Sequence, residues 1–301
     1  MAALKPQSAG EGLGLMHRVY NGATYLFDPL HHWWESDRTQ RNVAGLLVIV
    51  FLLGMLGIEL NRQGLLPNSI AARTPTSHYM AISLAFTLVL ILEVVSLIFT
   101  LPCSISKAVG KQFEILALIL LRSSFKELVH FPEPIHIGEA QIEAVKHIVA
   151  DGCSALLIFA LLGVYTLLRR DPDDEATKGA VLFKFVAAKK IVALVLLAAF
   201  LGMGLYNCWL FAHGHGHDFG FFEAFYTVLI FSDILLVLIS QRYLPTFRAV
   251  FRNSGFALST LFIRMALTAP AYYKAVLGVG SAVFAVLLTI TYNTLFTRKR
   301  L

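Results

Sequence analysis

The chain has 301 residues, 57% of them hydrophobic and only 15% charged, with a formal net charge of +6 and a mean hydropathy of +0.68. Soluble domains carry about a quarter charged residues, so this composition excludes an ordinary soluble enzyme and indicates an all-α integral membrane protein. The basic balance does not point to nucleic acid, because Lys and Arg lie in short segments beside apolar runs, as membrane orientation requires.

Residues 1–42 read as a cytoplasmic or interfacial N-terminal segment. Met1 to Trp34 has no continuous apolar core and no small-residue cleavage site, so no signal peptide is expected. The stretch HRVYNGATYLFDPLHHWWESDR mixes aromatic and basic residues. Tyr25, Trp33 and Trp34 suit the headgroup level, with Arg38 and Arg41 on the cytoplasmic side. Docking of a partner is the competing role for this segment.

A single transmembrane domain follows over 43–296, then a basic tail over 297–301. Crossing the hydrocarbon takes roughly 20 helical residues. Apolar runs of that length occur near 43–61, 80–102, 143–168, 186–212, 221–241 and 275–296. Two weaker segments are 111–130, which turns polar at RSSFKEL, and 254–270, which contains Arg264 and ends in APAYY. Without a crossing at 111–130, Arg169, Arg170, Arg242, Arg248 and Arg252 would all lie outside, against the positive-inside rule. The expectation is therefore a polytopic bundle of about eight transmembrane helices with both termini cytoplasmic, in a bacterial inner membrane. Seven spans with 254–270 re-entrant are the alternative.

Among the ionisable residues inside these spans, six stand out: Glu93, Arg122, Asp151, Lys189, Asp233 and Arg264. A charge in hydrocarbon is expensive and marks a buried pair, a water path or a functional site. At a rise of about 1.5 Å per residue, Glu93 and Arg122 lie about 13 and 16 Å from the cytoplasmic ends of consecutive antiparallel spans. Asp233 and Arg264 lie at about 12 and 15 Å. Each pair is matched in depth, which predicts two carboxylate–guanidinium pairs that tie helices or open during gating.

Asp151 has no opposite charge at its depth in an adjacent span, and Gly152 and Ser154 flank it. It is the leading candidate for a proton or cation site, with Glu93 and Asp233 also candidates. Lys189 and Lys190 lie near a cytoplasmic end, where snorkelling to the headgroups is expected, and one of them can face Glu114. In the outer FAHGHGHDF loop, His213, His215, His217 and Asp218 offer a short chelate for zinc, copper or nickel, against the simpler reading of a polar turn.

Other chemistry finds no support. There is no phosphate loop, GxSxG or HExxH, so no catalytic residue is assigned. His147 is the one histidine within an apolar helix, too few for haem held between facing helices. Cys103, Cys153 and Cys208 have no disulfide-like spacing, and the small residues of GVGSAVFAV suit close helix packing. The expected function is ion or proton translocation, with the bilayer and a small cation or proton as partners. A non-catalytic scaffold or accessory subunit, self-associating or bound to another membrane protein, is the alternative. Lipid or quinone handling is a third reading and needs an apolar intramembrane cavity.

Overall fold

The computed structural model describes residues 8–67, 71, 74–102, 105–132, 135–136, 138–169, 180–213 and 220–297. These form nine α-helices: α1 (Ser8–Glu35), α2 (Asp37–Arg62), α3 (Tyr79–Thr100), α4 (Ile105–Lys126), α5 (Ile142–Leu168), α6 (Ala180–Ala212), α7 (Phe221–Tyr243), α8 (Phe247–Thr268) and α9 (Ala271–Thr297). Two short 3₁₀ turns, Glu127–His130 and Glu139–Gln141, lie between α4 and α5. Among the described residues there is no strand. Six helices, α2, α3, α5, α6, α7 and α9, are long and apolar enough to cross a membrane. The protein is a helical membrane bundle.

The two weakly apolar segments form α4 and α8, each of 22 residues and thus about 33 Å long, close to the thickness of the hydrocarbon core. They are among the best-buried helices. α4 buries Val109, Phe113, Leu116 and Leu120 together with Ser106, Gln112 and Ser124. α8 buries Phe256 and Ile263 together with Asn253, Ser259, Thr260 and Arg264. A helix surrounded by other helices need not be apolar all round, because its polar groups meet protein rather than acyl chains. α2 is the converse, its apolar residues Leu46, Leu52 and Leu53 each more than half exposed.

α4 separates two apolar cores. Val109, Phe113, Leu116 and Leu120 pack with Ile158 and Tyr165 of α5, Phe256 and Ile263 of α8, and Ala282 and Ala285 of α9. On its other side Ile115 joins Ile98 and Phe99 of α3, Val192 and Phe200 of α6, and Phe225 and Leu229 of α7. Small residues set the closest approaches. A Cβ on Gly278 would meet Ile158 Cδ1 at 3.2 Å, and one on Gly255 would meet Leu288 Cδ2 at 2.6 Å. Between α8 and α9, the Ser259 and Ser281 hydroxyls lie 3.0 Å apart, and Ser281 Oγ also donates to the Ser259 carbonyl at 2.8 Å.

The N-terminal segment is helical. α1 lies against α6 and contributes buried Phe27, which meets Phe99 of α3 at a ring separation of 5.7 Å. Trp34 stacks on the same Phe99 at 6.0 Å, whereas Trp33 remains exposed. Ser36 breaks the path with an extended backbone, and its Oγ caps α2 by accepting from Thr39 N at 3.3 Å.

Candidate intramembrane charge sites

The short connection over 101–104 places α3 and α4 side by side, and Arg122 Nη1 donates to Glu93 Oε1. The pair is not sealed, since the Arg122 and Glu93 side chains are 26% and 12% exposed. It borders a cleft of about 280 Å³ between α2, α3 and α4, which Trp34, Gln40, Ser96, Lys111 and Leu118 also line. Glu93 Oε2 and Trp34 Nε1 are buried and have no hydrogen-bond partner.

The 244–246 connection likewise makes α7 and α8 neighbours, with Arg264 Nε 3.6 Å from Asp233 Oδ2. This pair is deep, its side chains 1% and 8% exposed respectively. Its contact is a Coulombic one without good hydrogen-bond geometry, for Asp233 Oδ2, Arg264 Nε and Arg264 Nη2 all lack hydrogen-bond partners. Asp233 faces a cavity of about 40 Å³ lined also by Lys189, Gln112, Asn253 and Thr260. That exceeds the roughly 10–15 Å³ needed for one water, and these polar groups, set among mostly aliphatic walls, could partner one. Gln112 reaches a second, smaller space of about 10 Å³ shared with Arg264 and Tyr226, so the polar groups continue past the ion pair.

Asp151 departs from expectation. It is fully buried, yet it is not isolated: Lys274 Nζ lies 2.7 Å from Asp151 Oδ2 and donates at the same distance to Ser123 Oγ of α4. Lys274 lies just before the last predicted span, and depth matching pairs only charges in adjacent spans. α9 in fact begins at Ala271 and packs on α5, so Lys274 occupies its first turn and its flexible stem lets the ammonium reach inward. Asp151 Oδ1 has no hydrogen-bond partner.

Lys189 is also corrected. At 3% exposure it does not snorkel; it lies over the Phe185 ring at 4.6 Å and lines the cavity beside Asp233. Lys190 turns the other way, as adjacent helical positions must, and pairs with Asp28 of α1 at 2.6 Å. Glu114 is exposed and pairs with Lys111 one turn earlier, at 2.7 Å. Asp28 gives no such signal in the sequence, where residues 1–42 read as an interfacial segment rather than a helix packed on the bundle.

Of the histidine loop, His213 is described and His215, His217 and Asp218 lie outside the described residues. His213 is exposed, its Nδ1 2.8 Å from the Trp209 carbonyl oxygen and its ring 4.3 Å from that of Trp209. Among the described residues no group of three or more His, Cys, Asp or Glu is placed to hold a metal. His147 sits at the same end of the bundle as Lys274, 3.6 Å from Glu127 and in edge contact with Tyr272.

The structure thus distributes the membrane charges over three pairs and one small cavity. Asp233 and Lys189 meet in that cavity, which no spacing in the sequence disclosed, because its walls come from α4, α6, α7 and α8. Compared with family models, curated proteins and solved structures, the chain has no match.

Proposed function

We propose that the protein moves protons or a small cation across a bacterial inner membrane through an eight-span bundle with both termini cytoplasmic, α4 and α8 being the two spans of low hydropathy. The observation that carries this reading is Asp233, a carboxylate nine-tenths buried that lines a small cavity together with Lys189, Gln112, Asn253 and Thr260. Its contact with Arg264 is loose, which leaves an oxygen for a proton or a hydrated cation to visit. Lys189 and Gln112 border the same space and would set its field and its hydrogen bonds. Asp151, held by Lys274 at 2.7 Å, has less claim to the ion. Glu93 and Arg122 act in this reading as a gating pair, because they meet at the edge of a cleft rather than in a sealed core.

The test is flux in reconstituted liposomes under imposed proton and cation gradients. Wild-type protein is expected to dissipate at least one gradient, and Asp233→Asn to lower that flux to the empty-vesicle level. Wild-type flux equal to empty vesicles across a wide pH range would sink the proposal.

The second reading is a non-catalytic scaffold or accessory subunit. It rests on one specific fact: Glu93, Asp151 and Asp233 each have a cation within ion-pair distance, as helix ties require. Stable co-purification of another membrane protein together with absent flux would establish it.

A further inference from the structure

We propose that the cleft between α2, α3 and α4 binds a membrane amphiphile with an uncharged, hydroxyl-bearing head group. Its volume of about 280 Å³ is slightly below that of drug-sized sites, enough for a compact head and the first part of a tail. The walls divide by chemistry. Val43, Leu47, Val89 and Leu92 are apolar, whereas Gln40, Ser96 and the Glu93–Arg122 pair supply polar groups.

Two buried atoms of residues that line the cleft point to the ligand. Trp34 Nε1 is a donor without an acceptor, and Glu93 Oε2 is an acceptor without a donor. Leaving such groups unmatched is costly, and one hydroxyl can both accept from an indole N–H and donate to a carboxylate. The charges exclude an anionic head. Arg122 is matched by Glu93 and Lys111 by Glu114, so neither cation is left to neutralise a phosphate.

The bilayer is the source. Ala44 and Leu118 line the cleft and are themselves exposed, and Ala44 belongs to α2, whose apolar residues Leu46, Leu52 and Leu53 are bare. Leu118 also borders a second, apolar groove of about 500 Å³ between α4 and α5, walled by Leu121, Leu156 and Phe159. A tail leaving the cleft past Leu118 has that groove to lie in. A quinol and a diacylglycerol share the required chemistry.

Binding is to be measured by calorimetry on the purified full chain in detergent. The probes are a decyl-tailed hydroquinone, dioctanoylglycerol and, as the anionic comparison, dioctanoyl-phosphatidylglycerol. One of the two uncharged probes is expected to bind saturably and the anionic one not to compete; which of the two binds identifies the source. Trp34→Phe keeps the ring but removes the donor, and should weaken binding about fivefold to tenfold. Ala44→Phe, at an exposed position that folding tolerates, should fill the mouth and abolish it. The proposal is overturned if neither uncharged probe binds, if phosphatidylglycerol binds equally well, or if either variant binds as wild type does.

Discussion

Lys274 Nζ lies 2.7 Å from Asp151 Oδ2, joining the first turn of α9 to the interior of α5. The carboxylate is wholly buried and the lysine side chain 13% exposed, so the lysine is the one member of the pair with a route to the surface. Removing it strands a charge; removing both partners does not. Lys274→Met is therefore expected to destabilise the protein by about 3–5 kcal/mol, and Lys274→Met with Asp151→Asn by much less. Denaturant unfolding in mixed micelles measures both. Equal losses for the single and double variants would show that the ion pair is not what holds α9 to α5.

That pair also marks where the sequence was readable and where it was not. Glu93–Arg122 and Asp233–Arg264 join consecutive antiparallel helices, so depth along each span was enough to match them. Asp151 and Lys274 are separated by three intervening helices, and nothing in a single sequence says that α9 returns to α5. The same limit hid the burial of Lys189. Its neighbours Gln112, Asp233 and Asn253 come from three other helices, whereas its position near a helix end suggested headgroups. Hydropathy clearly marks α2, the least buried of the six long apolar helices, but only faintly marks α4 and α8, whose polar residues Gln112, Asn253 and Arg264 are buried against protein.

The Ser259–Ser281 pair is expected to contribute little despite complete burial. Both hydroxyls lie at the α8–α9 contact, and each bonds the other helix. In a bilayer the separated helices also find partners for such groups, so a double-mutant cycle of Ser259→Ala and Ser281→Ala should give a coupling of about 0.6 kcal/mol, below about 1.7. A coupling several times larger would mean that the two hydroxyls act as one locked unit.

Gly255 serves the same contact by its lack of a side chain. A Cβ there would come within 2.6 Å of Leu288 Cδ2 and 2.9 Å of Cδ1, on a leucine that is only 7% exposed. Gly255→Ala should cost about 1–3 kcal/mol through overpacking, despite the better helix propensity of alanine. Combined with Leu288→Ala, which itself costs about 2–5 kcal/mol, the two losses should be less than additive, because the clash is with the leucine branch. Thermal unfolding of the three variants decides it, and strictly additive losses would place the strain in the backbone.

Asp233 provides the separation between an ion path and a set of helix ties. Both roles predict that Asp233→Asn is destabilised, since Arg264 is left buried without its counter-charge at a cost of about 3–5 kcal/mol. Stability alone therefore cannot distinguish them. Adding Arg264→Gln removes the stranded charge and should restore much of the stability. If Asp233 only ties α7 to α8, the stabilised double variant should behave as wild type in every flux assay. If the ion visits Asp233, the double variant should fold, insert into liposomes and still carry no flux, because the cavity shared with Lys189, Gln112 and Thr260 has lost its one carboxylate. Lys189→Met supplies the complementary readout. It removes a cation from the same wall, so an ion path should change its rate or its ion preference, while a structural tie between Asp233 and Arg264 would leave both unchanged.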